Sequence, residues 1–226
     1  NMRYAICFFP AVGVLCGAAL WLWAVLAQAT GMSGVLFAAI AACLPILVTG
    51  GIHMDGYLDT VDALSSHQTR EKKLEIMKDA NCGAFAVIYG GVYLLAYAGF
   101  AYEVFTAGHI LLLCPLFVLS RALSGLCAVN LPNARKSGML CAFTSGVQRR
   151  TATVALTLVG LAAAAGMVWM SPMVGGMAAV LSIASTLAYR RFAMAQFGGV
   201  TGATSGFFLQ LCELCGLIGV WIGGLL

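Results

Sequence analysis

Long apolar runs alternate with short polar connections along this 226-residue chain. Runs of spanning length cover about 4–27, 34–54, 83–101, 107–131, 152–170, 173–189 and 206–226. A helix rises 1.5 Å per residue, so about 20 apolar residues cross a bilayer core of roughly 30 Å. The pattern predicts an all-α, polytopic membrane helix bundle of about seven transmembrane helices, forming one integral membrane domain over residues 1–226. The run at 173–189 is the shortest and contains adjacent glycines. The longest polar connection, from Asp55 to Cys82, holds a short amphipathic pattern from Thr69 to Asp79. Thr69 suits an N-cap there, and Leu74 and Met77 share the apolar side. A plain interfacial helix resting on headgroups accounts for that segment equally well.

Composition agrees with the pattern. The chain is 62% hydrophobic and 9% charged, against about 25% charged residues in soluble domains, which excludes a soluble fold. Arg3 precedes an apolar run that continues without a small-residue cleavage site, so no secretory signal is expected. Seven crossings place Arg3, Arg70, Lys72, Lys73, Lys78, Arg135, Lys136, Arg149, Arg150, Arg190 and Arg191 on one side of the membrane. The positive-inside rule makes that side cytoplasmic, with the N-terminus inside and the C-terminus outside. Only Cys212 and Cys215 of the nine cysteines form a Cys-x-x-Cys, inside an apolar run. Free thiols serving as small hydrophobes are expected, rather than a zinc or redox site. The bilayer is an expected partner, nucleic acid is not, and self-association stays open.

Three carboxylates and an imidazole stand between His53 and Asp62, in a chain with only eight Asp and Glu. On a helix, Asp55, Asp59 and Asp62 fall at i, i+4 and i+7, on one face. Two carboxylates roughly 5 Å apart repel by about 3 kcal/mol at an effective dielectric near 20. Such a cluster calls for a counter-charge, and Mg²⁺ is the natural cation for oxygen ligands. Asp55, Asp59 and Asp62 are the expected ligands, with His53 orienting the site from behind them.

Arg121 lies mid-span in the fourth run and Glu213 within the seventh. A charge at that depth faces the bundle interior and needs a partner. The two either pair with each other or, for Arg121, reach a polar cavity that receives phosphate. Leading into the seventh run, Phe197, Gly198, Gly199, Val200, Thr201, Gly202, Ala203, Thr204, Ser205 and Gly206 form a Gly-rich stretch on the cytoplasmic side. Backbone N–H groups at such a helix start can hold an anion. Glu103 and His109 are expected at the far membrane face, in an interfacial role. Together the carboxylates, Arg121, Arg135, Lys136 and the Gly-rich stretch describe a cytoplasm-facing bowl suited to phosphoryl or nucleotidyl transfer.

The stretch Gly50-Gly51-x-His53-x-Asp55-Gly56-x-x-Asp59-x-x-Asp62 resembles the acidic signature of the cobalamin synthase family, the adenosylcobinamide-GDP ribazoletransferases. Three further segments match in order: Glu75-Ile76-Met77-Lys78-Asp79 with Gly83; Arg121 with Leu131-Pro132-x-x-Arg135-x-x-Gly138; and Gly198-Gly199-x-Thr201-Gly202 with Glu213. The resemblance implies that the 5′-hydroxyl of α-ribazole, or of its 5′-phosphate, attacks the cobinamide-linked phosphate of adenosylcobinamide-GDP. GMP leaves, and adenosylcobalamin or its phosphate forms, in a Mg²⁺-dependent step at the bacterial or archaeal inner membrane. It further implies catalytic roles for Asp55, Asp59, Asp62, Arg121 and position 203. Lys78, Arg135, Lys136, Gly198, Gly199, Thr201, Gly202 and Glu213 would bind substrate.

Departures accompany the match. Family members carry Asp at the position of Ala203, commonly Ser at that of Ala80, and Gly at that of Ala86. The missing Asp would remove a metal ligand or base, so impaired activity is expected. The segment from Cys7 to Gly13 is similar to the family's first apolar segment, which in members follows further residues, so an N-terminal piece is expected to be missing. Two other readings are weighed against this one. A small ion or solute transporter is opposed by the clustering of the carboxylates at one edge. A CDP-alcohol phosphotransferase is opposed by the absence of Ala-Arg after Asp55-Gly56.

Overall fold

The computed structural model describes residues 2–79 and 81–226; Ala80, one of the positions that departs from the family pattern, lies outside the described residues. The described residues are predominantly helical: α1 (Phe9–Thr30), α2 (Gly34–Val48), α3 (Ile52–Ser65), α4 (Arg70–Ile76), α5 (Ala84–Thr106), α6 (Leu113–Asn130), α7 (Met139–Thr144), α8 (Arg149–Met170), α9 (Pro172–Phe197) and α10 (Gly202–Leu225). Short 3₁₀ turns precede α1 and α6. A bilayer offers no partner to an open backbone, which is why every long apolar run closes its hydrogen bonds within itself.

Among the described residues, six helical segments are long and apolar enough to cross a membrane: Arg3–Thr30, Ala84–Thr106, Ile110–Asn130, Arg149–Met170, Pro172–Phe197 and Gly202–Leu225. The α2–α3 pair passes the same test only as a unit bent by 95°. With α2 as a crossing the total is seven, as the apolar pattern indicates. The expected continuous run 34–54 is corrected here, since α2 stops at Val48. Gly50 and Gly51 adopt φ of 64° and 79°, a region costly for residues with a Cβ. Gly51 N donates back to Ile46 O at 2.8 Å, which closes the helix end and turns the chain. The run at 173–189 proves to be a 26-residue helix reaching Phe197. The amphipathic segment is helical as expected, with Thr69 Oγ1 accepting from Lys72 N, Met77 buried and Leu74 half-buried. The six-residue α7 has no counterpart in the sequence reading. All nine cysteines are free.

α6 is the central helix and packs against α1, α8, α9 and α10. Leu113, Leu116, Phe117, Leu119 and Ala122 bury its sides. α10 packs against α9 along Gly219 and Gly223, where an added Cβ would lie 2.6 Å from the Cα atoms of Ala178 and Val174 respectively. Small residues at such a seam let two backbones approach, the main source of attraction between helices in lipid. α3 runs antiparallel along the first turns of α5 and α10. Leu58 and Met54 reach Gly90, and His53 and Gly56 sit against Gly206 and Ala203. Residues from Asp55 onward therefore form a polar arm beyond the second crossing.

The basic residues divide by this path. Apart from Arg121, they lie before α1, between α3 and α5, between α6 and the first turn of α8, and in the later turns of α9. All of these are at one end of a seven-crossing bundle. Single cysteines at positions 71, 136 and 190 of a cysteine-free protein should therefore label from the same side of sealed vesicles, and those at 108 and 226 from the other. Labelling of 71 and 136 from opposite sides would contradict the seven-crossing path.

Candidate active site

The polar arm α3 carries His53, Asp55, Asp59 and Asp62 on one helix. Met54, Gly56, Tyr57, Thr60, Val61 and Ala63 face the protein, Asp55 is exposed, and Asp59 and Asp62 are half-buried. Asp55 stands in the first turn, where the helix dipole favours a negative charge. Burial raises the Asp59 carboxyl to about 6, with the Asp55 charge adding to the rise, Arg135 opposing it and Asp62 adding again. An acid held near 6 marks a carboxylate withdrawn from water beside a like charge. The Asp62 carboxylate is turned to the start of α5, accepting from Gly83 N at 2.5 Å and Ala86 N at 2.9 Å. His53 packs edge-on to Phe9, ring centroids 5.7 Å apart. Among the described residues, no three His, Cys, Asp or Glu side chains come together as a metal cage. Of the three carboxylates expected as ligands, Asp62 is the one whose two oxygens each accept a backbone N–H from α5.

The Gly-rich stretch meets this arm from α10. A Cβ on Gly56 would lie 2.8 Å from Ala203 O and 3.0 Å from its Cα, so this close approach requires glycine. Thr201 does not face open space. It is buried as the N-cap of α10, its Oγ1 accepting from Thr204 N at 3.1 Å while Thr204 Oγ1 accepts from Thr201 N at 2.8 Å. Gly198 ends α9 in the left-handed region, at φ 73°. Gly199 is buried against Pro132 O. Only Gly202 and Ala203, the first two residues of α10, retain the N–H groups that a helix start leaves without an intrahelical acceptor.

Two backbone bonds tie this loop to the segment after α6. Val200 N donates to Pro132 O at 2.8 Å, and Ala134 N donates to Val200 O at 2.9 Å. The pairing sets Arg135 beside the loop. Arg135 donates to Leu74 O of α4 and keeps a buried Nε without a partner. Burial pushes its guanidinium below the ordinary value while Asp59 pulls it up. α4 is held in turn by α9, since Lys73 Nζ donates to Gln196 Oε1 at 2.6 Å and Arg70 donates to Met194 O and Ala195 O. Lys78 and Lys136 are exposed on either side. Next to Lys78, hydrogen bonds from Asn81 hold Asp79 below the usual carboxylate range.

Arg121 and Glu213 take the pairing alternative. Arg121 Nη1 donates to Glu213 Oε1 at 2.6 Å with both side chains fully buried. Ser120 Oγ donates to the same oxygen at 3.1 Å, and Phe117 O accepts from Arg121 at 2.9 Å. The structure thus places these two in the bundle interior, not among the open groups of the arm. Glu103 and His109 line a cavity of about 250 Å³ at the opposite end, with Trp221 and Gly224.

Sequence reasoning missed the Asp62 cap and the Pro132–Val200 bridge. The first left a trace: Gly83 opens α5 without a side chain able to cap it, so an acceptor had to come from elsewhere. The second left none, since backbone pairing between remote loops has no residue signature.

The sequence profile of the family described as cobalamin-5-phosphate synthase matches residues 1–221. A relative from Lachnoclostridium phytofermentans, named adenosylcobinamide-GDP ribazoletransferase, is 39% identical over 214 residues, covering 95% of this chain and 82% of the relative. Relatives of the same name from Pseudomonas entomophila and Desulfitobacterium hafniense are 33% and 32% identical, covering 97% and 95% of this chain and 88% and 84% of their own lengths. No solved structure matches.

Removing one partner of a buried ion pair strands the other, at a cost of about 3–5 kcal/mol, whereas replacing both by apolar residues is often near neutral. Glu213→Ala should therefore lower stability by that amount in detergent melts, and the Arg121→Met/Glu213→Leu pair by much less. Equal losses would show that stranding the arginine is not the source of the cost.

Proposed function

Because the chain belongs to the cobalamin-5-phosphate synthase family, we propose that it performs the reaction for which its relatives are named, adenosylcobinamide-GDP ribazoletransfer in cobalamin biosynthesis. The 5′-hydroxyl oxygen of α-ribazole, or of its 5′-phosphate, forms a bond to the phosphorus attached to cobinamide. The bond from that phosphorus to GMP breaks, and the hydroxyl proton is lost. The basic end of the bundle is read as cytoplasmic, with the N-terminus inside, by the positive-inside rule.

One observation carries the site assignment. Asp55 and Asp59 share a helical face, Asp59 is driven up to about 6 by burial and by Asp55, and Arg135 acts on it from across the arm. This donor set fits Mg²⁺, which is commonly held by one or two carboxylates together with substrate phosphates. Bound there, the ion supplies neutralisation of phosphate oxygens. The chain's own groups do the rest. Arg135, its Nε unpartnered, suits a phosphate oxygen by its planar fork. The free N–H groups of Gly202 and Ala203 add backbone donors at a helix start. Lys78 and Lys136, both exposed, draw the anionic substrate towards the arm.

The raised Asp59 value makes the site pH-dependent with a definite sign. An acid whose folded pKa exceeds its unfolded one costs stability when charged, so the metal-free protein gains stability as pH falls from about 6 towards 4. A cation must displace that proton. Mg²⁺ half-saturation should therefore rise by up to about tenfold per unit below pH 6, with proton release on binding measured by calorimetry in buffers of different ionisation enthalpy. Asp59→Asn should remove the pH dependence and cut turnover by about 10²-fold or more, the scale of losing one preorganised electrostatic group. Unchanged Mg²⁺ affinity between pH 5 and 7.5 in the parent protein would refute the assignment.

Position 203 provides a separate test. Ala203 touches the arm at Gly56, and as the second residue of α10 it stands where a carboxylate is favoured. An aspartate there is placed to join the cation shell or to take the hydroxyl proton, and a positioned base typically contributes about 10²–10⁴-fold. Ala203→Asp should raise turnover strongly and change adenosylcobinamide-GDP affinity much less. Equal turnover by the two forms would exclude position 203 from the chemistry.

A further inference from the structure

We propose that Asp62 is a positioning residue: its carboxylate caps the start of α5 from a neighbouring helix, in space that Gly83 keeps open, and it is not a ligand of the cation. The last clause rests on the cation reading above; the cap does not.

A helix start leaves N–H groups without acceptors, and two of them are ordinarily met by a capping box, in which the N-cap and third residues exchange side-chain bonds. α5 has no such residues. Its N-cap is Gly83 and its third residue is Ala86. The two N–H groups that a capping box would satisfy, those of Gly83 and Ala86, are the two that donate to Asp62. One carboxylate, 21 residues earlier in the chain, thus replaces both side chains of the box. Its negative charge also suits the positive end of α5.

Steric fit makes the arrangement exclusive. A Cβ built on Gly83 would lie 2.7 Å from Asp62 Oδ1 and 2.8 Å from both Cγ and Oδ2. The serine or aspartate that usually caps a helix cannot enter while Asp62 is there. Glycine is needed at 83 for room, since its φ of −78° is open to any residue. Each of its oxygens accepts one backbone bond from α5, and the cap, rather than the cation, is what holds the carboxylate. Its contribution to the site is mechanical. The cap, with the contacts of Leu58 and Met54 on Gly90, fixes the rotation of α3 against α5. That rotation aims Asp55 and Asp59, seven and three residues earlier on the same helix.

Two readouts on the intact protein in detergent test this. The first is hydrogen exchange over residues 83–87, and the second is Mn²⁺ affinity by electron paramagnetic resonance. Asp62→Asn, which keeps the shape and loses one acceptor, should speed exchange over 83–87 and leave the Mn²⁺ Kd within about twofold. Asp59→Asn should do the reverse. Gly83→Ala should speed the same exchange when Asp62 is present and add nothing in an Asp62→Ala background. Weakened Mn²⁺ binding in Asp62→Asn, as large as that in Asp59→Asn and with exchange unchanged, would overturn the proposal. Additive effects of Gly83→Ala and Asp62→Ala would overturn the interlock. If Asp59→Asn also leaves Mn²⁺ binding untouched, the cation reading fails, while the exchange data still decide the cap.

Discussion

Charge has few permitted places in this chain, and that constraint shapes the rest. A bilayer core charges several kcal/mol for an unpaired ion or an open backbone group. Eleven of the twelve Lys and Arg side chains accordingly collect at one end of the bundle, and the twelfth, Arg121, is fully buried against Glu213. Six of the eight acids, Asp55, Asp59, Asp62, Glu71, Glu75 and Asp79, lie on the basic end in α3 or the connection that follows. A polar site can exist there without entering lipid. The same constraint sends Arg121 inward to tie α6 to α10, the two helices at the centre of the packing.

Seams of small residues then decide which polar groups meet. α3 approaches α10 closely because Gly56 and Gly206 present no side chain where the backbones of Ala203 and His53 pass. Any larger residue at either place would push the arm away from the Gly-rich loop. The loop itself is fixed to the segment after α6 by backbone bonds at Pro132, Ala134 and Val200. Arg135 therefore reaches the neighbourhood of Asp59 through main-chain geometry, without a salt bridge to place it.

Much of the fold could be read from residues alone, because crossing a bilayer imposes a length, a polarity and a sidedness that single residues report. Thr69 capping α4 and the basic positions sharing one end belong to that class. The bend after Val48 does not: hydropathy continues smoothly to Met54, whereas the chain turns at Gly50 and Gly51, whose positive φ hydropathy does not register. The cap formed by Asp62 was not legible for a related reason. Helical spacing places it correctly on the face of Asp55 and Asp59, but spacing along one helix says nothing of what another helix presents opposite. The partner was the uncapped start of α5. Arg121 and Glu213 were legible as a pair or as a site, and only three-dimensional placement could choose. The adenosylcobinamide-GDP resemblance, by contrast, was carried by local motifs and so needed no structure.

The two halves of the site differ in how they tolerate change. Asp55 and Asp59 stand on a helix held at both sides, by α5 through Asp62 and by α10 through Gly56, so their geometry is set before any ligand arrives. Preorganisation of this kind is what makes fixed charges effective, since they need not be reoriented as the reaction proceeds. The opposing half has a buried Thr201 cap and a rigid bridge but ends in Ala203, which contributes only backbone. If the proposed site is the active one, a wall reduced to N–H groups suits it to holding a phosphate better than to moving a proton. Binding needs donors and a counter-charge, both of which remain, whereas proton removal needs a base positioned at the attacking oxygen. On the proposed function, the asymmetry between the walls would separate substrate affinity from turnover within a single residue of the chain.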